Sequence, residues 1–143
     1  ANTLGNLVNR TIAMVKKYFG DTPITSKVAT EFDENLMNVA ANQIKEYKSL
    51  MDQFKVADGI EAVIKLLRQS NKYIDETAPW VLAKDEANKD KLMTVLYNLL
   101  ECIRLSAVML EPIMPKLKLR ADDIVDKIKQ KYSNKATEKN VLE

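Results

Sequence analysis

Four long stretches of this chain repeat apolar residues at three- and four-residue spacing, and no proline interrupts any of them; the prolines stand at 23, 79, 112 and 115. A pattern of that period and length is a run of amphipathic helices. At 100° per residue, Leu4, Leu7, Val8, Thr11, Val15, Tyr18 and Phe19 share one face, which predicts a first helix from about Asn2 to Phe19. Gly20 ends it, and Pro23 falls in a loop of about a dozen residues. A second helix, Asp33 to Phe54, aligns Leu36, Ala40, Ile44, Tyr47, Met51 and Phe54. A third, Val56 to Thr77, aligns Val56, Ile60, Val63, Ile64, Leu67 and Ile74. It stops before Pro79, which lacks an N–H and restricts Ala78. A fourth, Lys89 to Leu110, aligns Leu92, Leu96, Leu99, Ile103 and Leu110, and Pro112 and Pro115 follow it. A shorter polar helix is expected over Ala121 to Tyr132, with a charged tail beyond Ser133. The expected fold is all-α: a bundle of four long helices plus a short C-terminal helix. The bundle is assigned to residues 1–118, the short helix and tail to 119–143.

At 143 residues the chain fits one domain, and a domain of that size buries roughly 68–70% of its unfolded surface. The net charge of +2 is unevenly spread. Residues 1–20 hold three basic and no acidic side chains, residues 21–115 eleven and fifteen, and residues 116–143 eight and five. Such a chain meets a polyanion locally rather than over its whole surface. Histidine is absent, which removes Ser-His and Cys-His catalysis, Glu-x-x-His metal sites and the commonest zinc ligand. No glycine-rich phosphate loop occurs, so neither a catalytic nor a metal site is expected. Cys102 is alone, which rules out an internal disulfide and suits a reducing, intracellular setting. No signal-peptide pattern is visible, and no apolar run approaches the ~18–20 residues of a membrane span. The first residues already read as helix, so the chain is expected to be part of a longer protein.

Two polar stretches do not fit a plain solvated surface. Asn2, Asn6 and Arg10 recur every four residues opposite the first helix's apolar face. Each asparagine costs up to ~0.7 kcal/mol of helix propensity relative to alanine, so three within ten residues (Asn9 included) is a poor way to make a soluble helix. A solvated face and a binding face both remain open for this stripe. The second stretch is Asn71-Lys-Tyr-Ile-Asp-Glu-Thr-Ala-Pro-Trp80, which ends on the only tryptophan. Trp80 is either a plug between helices or a flat platform. Asn71, on the inner stripe of the third helix, reads as an amide that holds neighbouring groups, and Asp75 and Glu76 read as end-of-helix acids or as groups that orient Arg10 or Trp80. An unpaired nucleobase needs both kinds of feature, a face to stack on and fixed partners for its edge.

The stretches Asn2-Thr-Leu-Gly-Asn6-Leu-Val-Asn9-Arg10, Asn71 to Trp80 with Val81-Leu-Ala-Lys84, and Leu110-Glu-Pro-Ile-Met-Pro115 stand in that order. Together they resemble the anticodon-binding domain of methionyl-tRNA synthetase, with the likeness running from Ala1 to Lys118. The resemblance implies a non-catalytic bundle that receives the CAU anticodon of methionine tRNA. A catalytic domain elsewhere in the same cytoplasmic chain would join methionine to tRNA with ATP. It places Asn6 and Arg10, with Asn2 close by, against the first anticodon base, and Pro79 and Trp80 as its stacking wall. Asn71 and Asp75 take supporting roles. Similar first helices occur in sister class I synthetases, which stay open as an alternative; so does a helical protein-interaction module anchored by Trp80. In a strict up-down bundle the third helix would end far from Asn2. The loop from Gly20 to Phe32, able to reach roughly 40 Å against a first helix of about 27 Å, is therefore expected to cross back and make the first and third helices antiparallel.

Overall fold

The computed structural model describes residues 3–112. The helix expected over Ala121 to Tyr132, the tail and Asn2 lie outside the described residues. Four long helices form: α1 (Thr3–Phe19), α2 (Asp33–Asp52), α3 (Val56–Thr77) and α5 (Lys89–Leu110). The short α4 (Pro79–Leu82) and a 3-10 turn (Glu86–Asn88) join α3 to α5. Among the described residues there is no strand.

Each long helix turns its apolar stripe inward. Leu4, Leu7, Val8, Val15 and Phe19 of α1 meet Leu92, Leu96, Leu99 and Ile103 of α5 in one core with Val63, Leu66 and Ile74 of α3. α1 closes on Gly20, whose φ of 54° is open to glycine at no steric cost, and whose N–H donates to the Val15 and Lys16 carbonyls. α2 and α3 approach closely at Gly59, where a Cβ would stand 3.0 Å from the Met51 sulfur.

The second helix ends at Asp52, short of the expected Phe54. Phe54 instead takes φ 59° to reverse the chain between α2 and α3, and its ring is 90% exposed rather than part of the inner stripe. Val56, also expected inside, is 42% exposed. Helical period holds only while the helix does, and the turn takes Phe54 off the face its spacing implied.

The loop after α1 does not cross back. Ile24 is fully buried, Thr25 Oγ1 donates to Met93 Sδ, and the backbone N–H groups of Lys27 and Val28 donate to Thr94 Oγ1 at 2.7 and 2.9 Å. These bonds pin the loop to the start of α5, the end at which α1 finishes. Tyr73 of α3 meets Asn98 of α5, and the C-terminal end of α3 likewise lies beside the start of α5. α1 and α3 therefore run parallel, and the antiparallel expectation is corrected. The loop's reach is taken up by side-chain anchoring, and the bundle is a plain up-down-up-down one.

A buried polar network locks the same end. Tyr73 Oη donates to Asp33 Oδ1 at 2.6 Å and accepts from Asn98 Nδ2 at 3.1 Å. The Asp33 carboxylate also accepts from Thr30 N and Thr30 Oγ1. Tyr47 Oη donates to the Met109 carbonyl at the opposite end. Every donor in these bonds has an acceptor, which is what makes polar groups tolerable in a core.

α5 is long and apolar enough by composition to cross a membrane, contrary to the sequence expectation, but it is the core helix here, largely buried in the bundle. Burial pushes its Cys102 thiol up to about 11, helped by the Glu101 charge and opposed by a Ser70 hydrogen bond. Burial, then the Asp33 bond, holds Tyr73 well above its ordinary value too. Both raised groups keep their protons in the fold; the thiol's contribution is complete below its unfolded value of 9.0 and is lost as pH rises through 11, while that of Tyr73 begins to fall only above 10.0. The thiol alone should remove on the order of 2–3 kcal/mol over that window. Urea midpoints measured at pH 8 and pH 11 check this, and Cys102→Ala should fall less steeply than the parent.

Candidate nucleic-acid interface

α1 and α3 each carry a pair of polar residues four apart, and the parallel packing sets them side by side. Arg10 Nη1 donates to Asn71 Oδ1 at 3.2 Å, while Arg10 Nη2 lies 3.8 Å from Asp75 Oδ1. Asn71 Nδ2 donates to the Leu67 carbonyl at 3.2 Å, which orients the amide so that its oxygen faces the arginine. An ion pair this exposed, with side chains 45% and 73% accessible, contributes little stability. Its consequence is geometric. The guanidinium has five N–H donors in a rigid fork, and the two contacts on α3 fix its plane without using them all. Thr3, Asn6, Asn9, Arg10 and Asn71 line a cavity of about 470 Å³ around it.

The exposure of Trp80 follows from how α3 ends. Ala78 takes φ 45° before Pro79, the helix breaks there, and α4 restarts with Pro79 as its first residue. The Val81 and Leu82 N–H groups both donate to the Ala78 carbonyl, so the restart is held by backbone bonds. That break leaves Trp80 45% exposed and Val81 51% exposed. Pro79 is buried, so the expectation that its ring offers a stacking face is corrected. Arg10 faces the stretch between Asn71 and Asp75, and Trp80 follows the break that ends α3. Leu82, at the end of α4, shares a cavity with Tyr18 near the end of α1.

A second cavity of about 510 Å³ lies on the loop side of α3, between Thr30, Glu31, Phe32, Glu76, Thr77 and Lys91. Sequence reasoning missed it, since the loop that forms it carries no periodic signal. Its lining carries two carboxylates, Glu31 and Glu76, and one ammonium, Lys91. Among the described residues no group of His, Cys, Asp and Glu could hold a metal ion.

Residues 23–142 match the family model described as the anticodon binding domain of methionyl tRNA ligase. The chain belongs to this family. The methionine–tRNA ligase of Bacillus subtilis is 46% identical over 117 residues, covering 81% of this chain and 18% of that protein. The Clostridium perfringens enzyme is 43% identical over 120 residues, covering 84% and 19%. The chain therefore spans about a fifth of the length of these relatives. The structure of Mycobacterium tuberculosis methionyl-tRNA synthetase in complex with methionyl-adenylate superposes with a TM-score of 0.77 at 30% identity, covering 88% of this chain and 25% of that one. These findings favour the methionine family over the sister synthetases and over an unrelated interaction module. Asn6 and Arg10 precede the span matched by the anticodon-binding family model, so their place in the site rests on the geometry. The structure brings Asn6, Arg10, Asn71 and Asp75 together; Trp80 is exposed but does not line their cavity, and Asn2 lies outside the described residues.

Proposed function

We propose that this domain reads the CAU anticodon of methionine tRNA for a methionine–tRNA ligase, through Asn6, Arg10 and Trp80, with Asn2 at the edge of the site. Asn71 and Asp75 hold Arg10 in place, and Pro79 anchors the turn that presents Trp80. The observation that supports this reading is a guanidinium held by two contacts on α3, with donors left over, on the helix whose terminal break leaves a half-exposed indole. Stacking supplies affinity from any base, and the fixed donors supply the choice among bases. Adenylation of methionine with ATP and its transfer to tRNA belong to another part of the same cytoplasmic protein, and this domain contributes no catalytic residue or cofactor contact.

Trp80, the only tryptophan, reports on the site directly. Its fluorescence should be quenched saturably by a CAU anticodon stem-loop, and the affinity should fall steeply with salt. A stem-loop bearing GAU should quench only at higher concentration. Equal response to both loops would leave phosphate attraction without base reading.

A further inference from the structure

Tyr73 stands on the buried face of α3, two residues from Asn71 and two from Asp75. It therefore lies roughly 160° around the helix from each of them, behind the pair that grips Arg10. Its hydroxyl is bonded to two other helices. It donates to Asp33 Oδ1 of α2 at 2.6 Å and accepts from Asn98 Nδ2 of α5 at 3.1 Å. Asp33 is itself held by Thr30 N at 2.9 Å and by Thr30 Oγ1 at 2.6 Å, so the acceptor for the hydroxyl has a set position.

Apolar packing is non-directional and lets a helix turn slightly about its own axis, whereas hydrogen bonds fix distance and angle together. Small turns matter here. A rotation of about 10° moves a side-chain atom about 6 Å from the axis by roughly 1 Å. A turn of that size away from α1 takes the 3.2 Å Arg10–Asn71 contact past the reach of a hydrogen bond and parts the 3.8 Å pair with Asp75. The two bonds behind α3 oppose that turn from different helices.

We propose that Tyr73, clamped by Asp33 and Asn98, is a positioning residue for base selection: it fixes the rotation of α3 and, through Asn71, the plane of the Arg10 guanidinium. This rests on the reading of Arg10 as the group that selects cytosine. Tyr73→Phe keeps the ring in the core and removes both bonds. Its preference for a CAU over a UAU stem-loop should fall at least about three-fold, at a temperature where circular dichroism shows it folded. Unfolding alone lowers both affinities together and leaves their ratio unmoved. Asp33→Asn still offers Oδ1 to the hydroxyl and should hold the parent's ratio. Asn71→Ala removes the link, so adding Tyr73→Phe to it should lower the ratio no further. An unchanged ratio in Tyr73→Phe, or an additive loss in the double variant, overturns the proposal. Nitrogen-15 NMR of the RNA-free chain gives a readout independent of base reading: the Arg10 Nη groups should rotate at least about three-fold faster in Tyr73→Phe. Unchanged rotation overturns the positioning role even where the parent prefers CAU. Faster rotation in Tyr73→Phe beside a parent without preference overturns the base reading and leaves the clamp standing.

Discussion

Trp80→Ala should lower the affinity for a CAU stem-loop by roughly five- to 150-fold, the equivalent of about 1–3 kcal/mol for one base stacked on an aromatic ring. The structure separates this loss from unfolding. Trp80 lies outside the core cluster and is 45% exposed. The turn that presents it is held by the Ala78 carbonyl and by the buried Pro79, neither of which the substitution touches. Helix content by circular dichroism should therefore match the parent. Trp80→Phe keeps a flat face of smaller area and should recover much of the binding. If alanine binds the stem-loop as tightly as tryptophan, the indole is no platform, whatever its exposure.

The helices were legible because their determinants are local. The bounds of α3 and α5 agree with the apolar periodicity at both ends, and α1 ends at the expected Phe19. The Asn71 to Trp80 stretch also announced a break, because a proline's missing N–H is a property of its own position. What the sequence did not show depends on partners far along the chain. The direction of α1 relative to α3 is set by Ile24 and by one hydroxyl, on Thr94, that accepts two backbone donors 66 and 67 residues away. No spacing rule marks such a residue. Phe54 and Pro79 failed in opposite senses: one sits on an apolar period yet faces solvent, the other spells part of a recognition stretch yet is buried. Both stand where helical geometry is interrupted, which is where a periodic argument has nothing to say. Within the candidate site, Asn6 and Arg10 could be read from their spacing, whereas the grip of Asn71 on Arg10 spans 61 residues and appears only in three dimensions.

That grip gives the second large effect, and it concerns the choice of base more than affinity. Arg10→Ala should weaken a CAU stem-loop by about 1–3 kcal/mol while weakening a UAU stem-loop far less. Cytosine presents O2 and N3 as acceptors, and a guanidinium is only a donor, so the pair is complementary. Uracil carries a hydrogen at N3, which would meet an arginine N–H head-on. The discrimination requires that the guanidinium not swing away from the wrong base. Asn71 Oδ1 at 3.2 Å and Asp75 Oδ1 at 3.8 Å restrain it from one side, and the Leu67 carbonyl holds the Asn71 amide in turn. Asn71→Ala should accordingly leave most of the affinity for CAU intact but narrow the gap between the two loops, since a freed arginine can retreat to a phosphate. Competition titrations of both stem-loops against the parent, Arg10→Ala and Asn71→Ala separate these roles. An equal loss for cytosine and uracil in Arg10→Ala would reduce the residue to a phosphate contact. An unchanged ratio in Asn71→Ala would mean that the fork is oriented by the RNA itself.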